Sequence, residues 1–378
     1  MTVVFISNYL NIHQKPFADV MYSLLGDDWT FVETKTINET RKKLGWTYEG
    51  APYIKRTYTS EKEREECQSL IDSADVVILG AAPDELVRRH IKSGKLLFRY
   101  SERPLKNGMQ IHKYLPRFLL WHIKYPFWKP IYMLCASAYT ADDYKKFGMF
   151  IGKSYKWGYF PEVRRYGDID ALLDKKQKNS LLWVGRLIDW KHPEVPVEIA
   201  KRLKADGYDF SLNIIGNGEL EDSLKAKISE NGLETQVRML GSMPPEKVRE
   251  YMEQSEIFLF TSDRQEGWGA VLNESMNSCC AVAASHAIGS VPFLLKDREN
   301  GLIYKDGDLD DLYSKVKGLL DDPAERKIYG KQAYKTMTEV WSPETAAKRF
   351  LALVEQLQKS KKSELFEDGP CSRTKTVK

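Results

Sequence analysis

Short apolar runs that end in small residues recur along the chain. In the first half they are VVFIS (3–7), DVVILG (75–80) and KLLFRYS (95–101). In the second they are SLLWVG (180–185), FSLNIIG (210–216), VRMLG (237–241), IFLFTS (257–262) and AVAAS (281–285). Most are apolar throughout rather than alternating, which predicts strands covered on both faces. Between them the period becomes helical. Residues 193–206 carry a proline suited to a first turn and set Val197, Ala200 and Leu203 on one stripe. Residues 219–231 and 244–255 read similarly. Residues 342–359 predict the last strong helix, with Ser342 as N-cap and Pro343 at its first position. Strands alternating with helices predict an α/β protein with parallel sheets.

The polar run DIDALLDKKQKNS (168–180) precedes the second set of strands, and residues 160–178 read as a linker. The chain then divides into an N-terminal domain (1–165), a C-terminal domain (166–342), a closing helix (343–360) and a polar tail (361–378) with the composition of a disordered segment. Its 378 residues suffice for two domains of ordinary size. A formal net charge of only +4 does not suggest a nucleic-acid binder. The opening MTVVFISNYLNIHQK has no basic lead-in, which argues against a signal peptide. No run of ~18 apolar residues predicts a transmembrane helix. Five cysteines fit neither a zinc spacing nor a disulfide framework, which predicts a reducing, cytoplasmic setting.

Candidate chemistry concentrates in the second half. LLWVGRLIDWKHPEV reads as strand, glycine turn and helix, with Arg186 and Lys191 in the turn. Helix N–H groups and two cations at such a junction suit phosphate; a plain surface loop is the alternative. DRQEGWGAVLNESMNS places Glu266 and Glu274 eight positions apart around Gly267, Trp268 and Gly269. Glycines let the backbone near Trp268, Gly269 and Ala270 approach an anion. Carboxylates accept hydrogen bonds in pairs and suit sugar hydroxyls, so Glu274 is placed for a ribose and Glu266 for a sugar beyond the phosphates. The alternative is a solvated Glu266 and a locally paired Glu274.

These motifs, Gly185-Arg186 with Lys191 and Glu266-Gly-Trp-Gly with Glu274, resemble the C-terminal domain of retaining glycosyltransferases of family 4. IIGNGEL, RMLGSMPPEKVREYMEQSEIFLFTS and ENGLIYKDGDLDDL extend the likeness over about 180–345. The resemblance implies the GT-B fold: two Rossmann-like α/β/α domains facing across a cleft, with a C-terminal helix returning to the first. It implies a nucleotide-sugar donor, with UDP as the first expectation. Arg186 and Lys191 would stabilise the diphosphate, Glu274 the ribose and Glu266 the donor sugar. Gly185 and the backbone from Gly267 to Ala270 would line the donor, and Leu240, Asn217 and Gly218 would border the base. Anomeric configuration would be retained, with no metal and no cofactor, because cations and helix ends balance the leaving charge. The acid pairs at 168–170 and 308–310 are expected to be solvated. The acceptor would be a glycan or a lipid-linked glycan. The sequence departs from the family pattern where Cys279-Cys280-Ala281 replaces Gly-x-Pro and Phe293 replaces an acid.

The first half matches less. SNYLNIHQKPFAD follows the first strand without a glycine, and His13 and Lys15 in it are candidate donor or acceptor contacts. Glu102 stands where many family members carry a histidine, or it pairs with Arg103. From Arg103 to Ala141 there is no acid. Lys106, Lys113, Arg117, Lys124 and Lys129 there, with Tyr114, Phe118, Trp121 and Tyr125 at helical spacing, fit either peripheral docking on the cytoplasmic face of an anionic membrane or a helix facing its own core. Competing functions are a nucleotide-sugar epimerase or phosphorylase on the same scaffold, and a non-catalytic membrane protein. No GxGxxG follows the first strand, which disfavours a dehydrogenase.

Overall fold

The apolar runs assemble into two parallel sheets in a computed structural model that describes residues 1–37, 50–360 and 365–376. One unit comprises Met1–Glu162 and Trp341–Lys378, the other Val163–Val340.

The sheet of the first unit has the order β3-β2-β1-β4-β5-β6-β7. Its strands are β1 (Val3–Ser7), β2 (Trp29–Glu33), β3 (Ile54–Arg56), β4 (Val76–Leu79), β5 (Leu96–Ser101), β6 (Ile131–Cys135) and β7 (Ser154–Lys156). Every residue of β1, β2, β4 and β6 is buried, as strands covered on both faces require. Aromatic rings fill the helix side: Phe17 lies 5.2 Å from Trp157, and Phe98 lies 5.1 Å from Phe350. Phe350 belongs to the helix Pro343–Lys359, so the chain returns to its first unit at the end. Ser342 Oγ caps that helix by accepting from Thr345 N at 3.2 Å.

Two readings of the polar segments need correction. Residues 365–376 do not form an unstructured tail. Lys156 N donates to Ser372 O and Cys371 N donates to Lys156 O, both at 2.8 Å, and Arg373 bridges Tyr155 in antiparallel sense. The reason is the open edge of β7, whose unpaired backbone groups this segment satisfies; residues 361–364 and 377–378 lie outside the described residues. Nor is 168–178 a linker. Asp168 caps the helix Ile169–Asp174, accepting from Ala171 N at 3.0 Å, and the strand begins at Gln177. Lys176 is buried, its Nζ donating to the carbonyls of Met252, Glu253, Ser255 and Ser278 at 2.7–3.2 Å. A buried ammonium is tolerable only with such a full set of acceptors.

The second sheet has the order β10-β9-β8-β11-β12-β13. Its strands are β8 (Gln177–Val184), β9 (Ser211–Ile215), β10 (Val237–Met239), β11 (Ser255–Phe260), β12 (Ala281–Ser285) and β13 (Leu302–Tyr304). Helices Glu194–Ala205, Glu221–Glu230 and Pro245–Gln254 cross between strands, as parallel pairing demands. All five cysteines are buried thiols without disulfides.

Candidate functional site

The second sheet reverses its order at β8: β9 and β10 continue to one side, β11 to β13 to the other. Loops leaving the carboxyl ends of β8 and β11 diverge there, and such a switch point is where parallel sheets take ligands. Lys191 and Glu266 meet at this place. After β8 the chain makes one turn at Asp189–Lys191, and His192 at φ 51° redirects it. The loop after β11 is stitched to it. Trp183 Nε1 donates to Thr261 Oγ1 at 2.9 Å; that hydroxyl lies 2.9 Å from the Lys191 carbonyl and 3.1 Å from the His192 carbonyl. Asp263 N donates to Trp190 O at 3.0 Å.

Lys191 Nζ and Glu266 Oε2 form an ion pair with side chains only 12% and 10% exposed. Ser262 Oγ donates to the same oxygen at 3.3 Å, and the Glu266 carbonyl accepts from Gly289 N at 3.0 Å. Arg186 is exposed. Its guanidinium lies 5.6 Å from the Trp190 ring centre and Lys191 Nζ lies 4.8 Å from it, so one indole carries both cations.

Two glycine turns close one side. Gly185 N donates to Ile215 O at 3.0 Å and Leu187 N to Asn217 O at 2.9 Å. A Cβ on Gly216, where φ is +142°, would stand 1.7 Å from Gly185 O, and one on Gly218 would stand 2.3 Å from Leu187 O. Only glycine allows the β8 and β9 turns to touch. Leu240 N donates to Ile214 O at 2.9 Å, which sets it at the end of β10 on the same sheet edge.

On the other side, the Trp268 side chain is not part of the crevice. Its ring is fully buried 6.3 Å from Phe293, its Nε1 donates to Asn273 Oδ1 at 2.9 Å, and its carbonyl accepts from Ser290 Oγ. It is the wedge that fixes the turn, and Phe293 is its packing partner. Gly269 has φ +79°, and a Cβ there would lie 2.3 Å from Phe260 Cζ and 3.3 Å from Glu266 Cδ. The helix Val271–Asn277 follows, with Ala270 at its N-cap and no side-chain cap. Cys279 takes φ 57°, the left-handed conformation a glycine in its place would adopt without strain.

Glu274 sits one turn into this helix. Burial pushes its carboxyl up to about 7, and nearby Arg249 and Arg164 pull in the opposite direction. Arg249 Nη2 donates to Asn277 Oδ1 at 2.7 Å, and Arg164 N donates to the same oxygen at 2.8 Å. Lys191, Glu266 and Arg186 are thus one cluster, while Glu274 belongs to a second, beside Arg249.

In the first unit, His13 and Glu102 come together through Tyr159. The His13 and Tyr159 rings are stacked at 6.0 Å, and Tyr159 OH donates to Glu102 Oε1 at 2.5 Å. Burial lowers His13 to about 4, so its ring is neutral near pH 7. Lys15 instead pairs with Asp19 at 2.5 Å along its own helix. Glu102 does not pair with Arg103: it pairs with Lys106, while Arg103 Nε reaches Asp143 at 3.2 Å. Of the acid pairs, Asp168 and Asp308 cap helices, and Asp170 and Asp310 pair with Lys331 and Arg202.

Sequence reasoning missed Trp190, Thr261, Ser262, Arg249 and Tyr159. Adjacency to Lys191 and to the end of β11 was a usable signal for the first three. Nothing local marks Arg249 or Tyr159, which reach their partners through the tertiary fold.

Residues 168–336 match the family model for glycosyl transferases group 1. The chain is 33% identical over 158 residues to the amylovoran biosynthesis glycosyltransferase AmsK of Erwinia amylovora, covering 40% of this chain and 38% of that protein. It is 35% identical over 164 residues to an N-acetylgalactosamine-N,N'-diacetylbacillosaminyl-diphospho-undecaprenol 4-alpha-N-acetylgalactosaminyltransferase of Campylobacter jejuni, covering 43% of this chain and 42% of that one. The matched region therefore spans about two fifths of each of these relatives. The crystal structure of Anabaena HepE in complex with UDP superposes with a TM-score of 0.69 at 13% identity, covering 94% of this chain and 100% of that one. That likeness, carried by two parallel-sheet α/β units, gives the chain the GT-B fold.

Proposed function

We propose that the protein transfers a sugar from a nucleotide-sugar donor, a UDP-sugar first, to a glycan or lipid-linked acceptor at the cytoplasmic face of a membrane, with retention and without a metal. The observation that carries this reading is the Lys191–Glu266 pair at the β8/β11 switch point, with Arg186 on the same indole. A diphosphate entering there meets an ammonium and a guanidinium, which can take over the charge that develops as the leaving group departs. Once phosphate holds Lys191, Glu266 is released to accept hydroxyl protons of the donor sugar. Glu274 accepts the ribose hydroxyls. Gly185, Asn217, Gly218 and Leu240 border the nucleotide, and the backbone from Gly267 to Ala270 approaches its phosphates. His13, Tyr159 and Glu102 offer a neutral imidazole, a phenol and a carboxylate for acceptor or donor hydroxyls. The UDP complex of HepE and the lipid-linked name of the Campylobacter relative support these choices of donor and acceptor.

The test is a screen of nucleoside diphosphate sugars for UDP release, with the anomer of the first-formed sugar read by NMR. Lys191→Ala and Glu266→Ala should each lower turnover about 100-fold or more, measured well below their melting temperatures, because each leaves the other buried charge unpaired. Unaltered turnover in both variants would remove the site. Release of an inverted sugar would overturn retention. An isomerised nucleotide-sugar without UDP release would indicate an epimerase instead.

A further inference from the structure

His192 follows Lys191 directly, and its backbone is strained. Its φ of 51° and ψ of 54° lie in the left-handed region, where glycine sits freely and a residue with a Cβ does not. A side chain kept in such a conformation points to a role for that side chain. The imidazole lies between two acids. Nδ1 is 3.0 Å from Glu194 Oε1, and Nε2 is 3.9 Å from Asp263 Oδ2.

The two acids belong to different segments. Glu194 opens the helix that follows His192, and Asp263 lies on the loop after β11. Asp263 reaches toward both members of the ion pair. Its N–H donates to Trp190 O, next to Lys191, and its carbonyl accepts from Glu266 N at 3.1 Å. Its Oδ1 accepts from Gln265 N at 2.7 Å and its Oδ2 from Gln265 Nε2 at 3.3 Å, which fixes the carboxylate beside the ring. A third acid, Asp306 on the loop after β13, also acts on the imidazole. Of the other ionisable groups there, Lys227 acts on Glu194, Lys191 is paired with Glu266, and Tyr304 is kept un-ionised by burial. The hydrogen bond to Glu194 raises the protonation of His192 above the ordinary histidine range, Asp263 and Asp306 add to this, and burial opposes it. A protonated ring can donate to both acids, a neutral ring to one.

We propose that His192 is a positioning residue, a clasp between Glu194 and Asp263 that sets how Lys191 and Glu266 are presented to the donor. The role rests on the transfer reading given above. A long lysine side chain can still find a bound phosphate from a loosened turn, but a misplaced ammonium stabilises the departing charge less. Loss of the clasp therefore lowers kcat rather than donor affinity. The clasp is fully present below the ordinary histidine value and is lost as pH rises through the raised one.

The first test compares wild type with His192→Asn, whose asparagine tolerates the same backbone but cannot become a cation. The substrate is the nucleoside diphosphate sugar that releases UDP fastest in the screen above, at saturating concentration. Wild-type kcat should exceed that of His192→Asn about tenfold at pH 6 and match it at pH 9. His192→Gly, which relieves the backbone but has no ring, should follow His192→Asn. A ratio that is constant with pH marks a merely structural effect and overturns the proposal, as does wild-type kcat in His192→Gly at every pH. The second test needs no donor. The His192 ring titration, assigned by its loss in His192→Asn and followed by NMR, should move to lower pH in Asp263→Asn. An unmoved titration overturns the clasp even where transfer is demonstrated. A lowered titration in a protein that releases UDP from no nucleotide-sugar fails the transfer reading and the positioning role with it, while the clasp stands.

Discussion

The carboxyl of Glu274 supplies the sharpest prediction, because its buried environment and its proposed role pull its protonation in opposite directions. Burial raises it to about 7 although Arg249 and Arg164 lie near. In the proposed complex it accepts ribose hydroxyl protons, which favours the ionised form. Nucleotide binding must then expel a proton wherever the empty site holds one. At pH 6 about one carboxyl in ten is ionised and at pH 8 about nine in ten, so UDP should bind nearly tenfold more tightly at pH 8. At pH 6 close to one proton should be released per UDP bound. Stability runs the other way. A carboxyl raised by folding contributes stability that is fully present below its unfolded value and lost as pH rises through its folded value. The empty protein should lose this contribution between about pH 4.5 and 7, and UDP should stabilise it most above that window. The assay is calorimetric titration in buffers of different ionisation enthalpy, with Glu274→Gln in parallel. The terminal phosphate of UDP itself titrates near roughly 6, but equally for both proteins, so the difference between them carries the test. An equal pH slope in Glu274→Gln and wild type would refute the reasoning.

Lys176→Met should destabilise the second unit by about 3 kcal/mol or more, since a buried charge-assisted donor to four carbonyls is removed; urea unfolding measures it. Gly216→Ala should cost about 3 kcal/mol or prevent folding, because its Cβ would stand 1.7 Å from Gly185 O at a φ of +142°; the soluble yield and melting temperature decide. Gly269→Ala should lower both stability and turnover, since the added carbon stands 2.3 Å from Phe260 Cζ at a φ of +79° and also crowds Glu266 Cδ at 3.3 Å; kinetics at a temperature well below melting separate the two.

The eight apolar runs read from the sequence all lie on strands, because continuous burial leaves a continuous apolar trace. Among the described residues, five strands were not legible. β3, β7 and β13 have three residues each, too few to show a period. β2, WTFVE, mixes polar residues that are nonetheless buried. Glu33 is one of them, and it holds the loop after β1 by accepting from Leu10 N at 2.9 Å. β6 lies inside the acid-free stretch just after Trp128 and Lys129, with no change of composition to mark its start. For the helix in that stretch the spacing separated the faces correctly but could not say which one is covered. Aromatic rings won the inside because they fill the space around Tyr144 and Phe147. The Lys191–Glu266 contact spans 75 positions, so the motif located each partner and only the sheet order brought them together.

That contact also explains how acids can belong in an anion site. At 10–12% exposure neither Lys191 nor Glu266 could stand alone, because an unpaired charge there would carry a desolvation cost of several kcal/mol. In this structure each neutralises the other. On the proposed reading a donor does not have to create a binding charge; it exchanges partners, phosphate for Glu266 on the ammonium and sugar hydroxyls for Lys191 on the carboxylate. The exchange requires both halves of the donor. A diphosphate without its sugar leaves Glu266 stripped of its cation, so Lys191 should favour the intact donor over UDP by more than hydrogen-bond counting suggests. Glu266→Gln removes the charge that must be compensated. It should therefore bind UDP more tightly than wild type while transferring more slowly, and equal or weaker UDP binding in that variant would show that the pair is not exchanged.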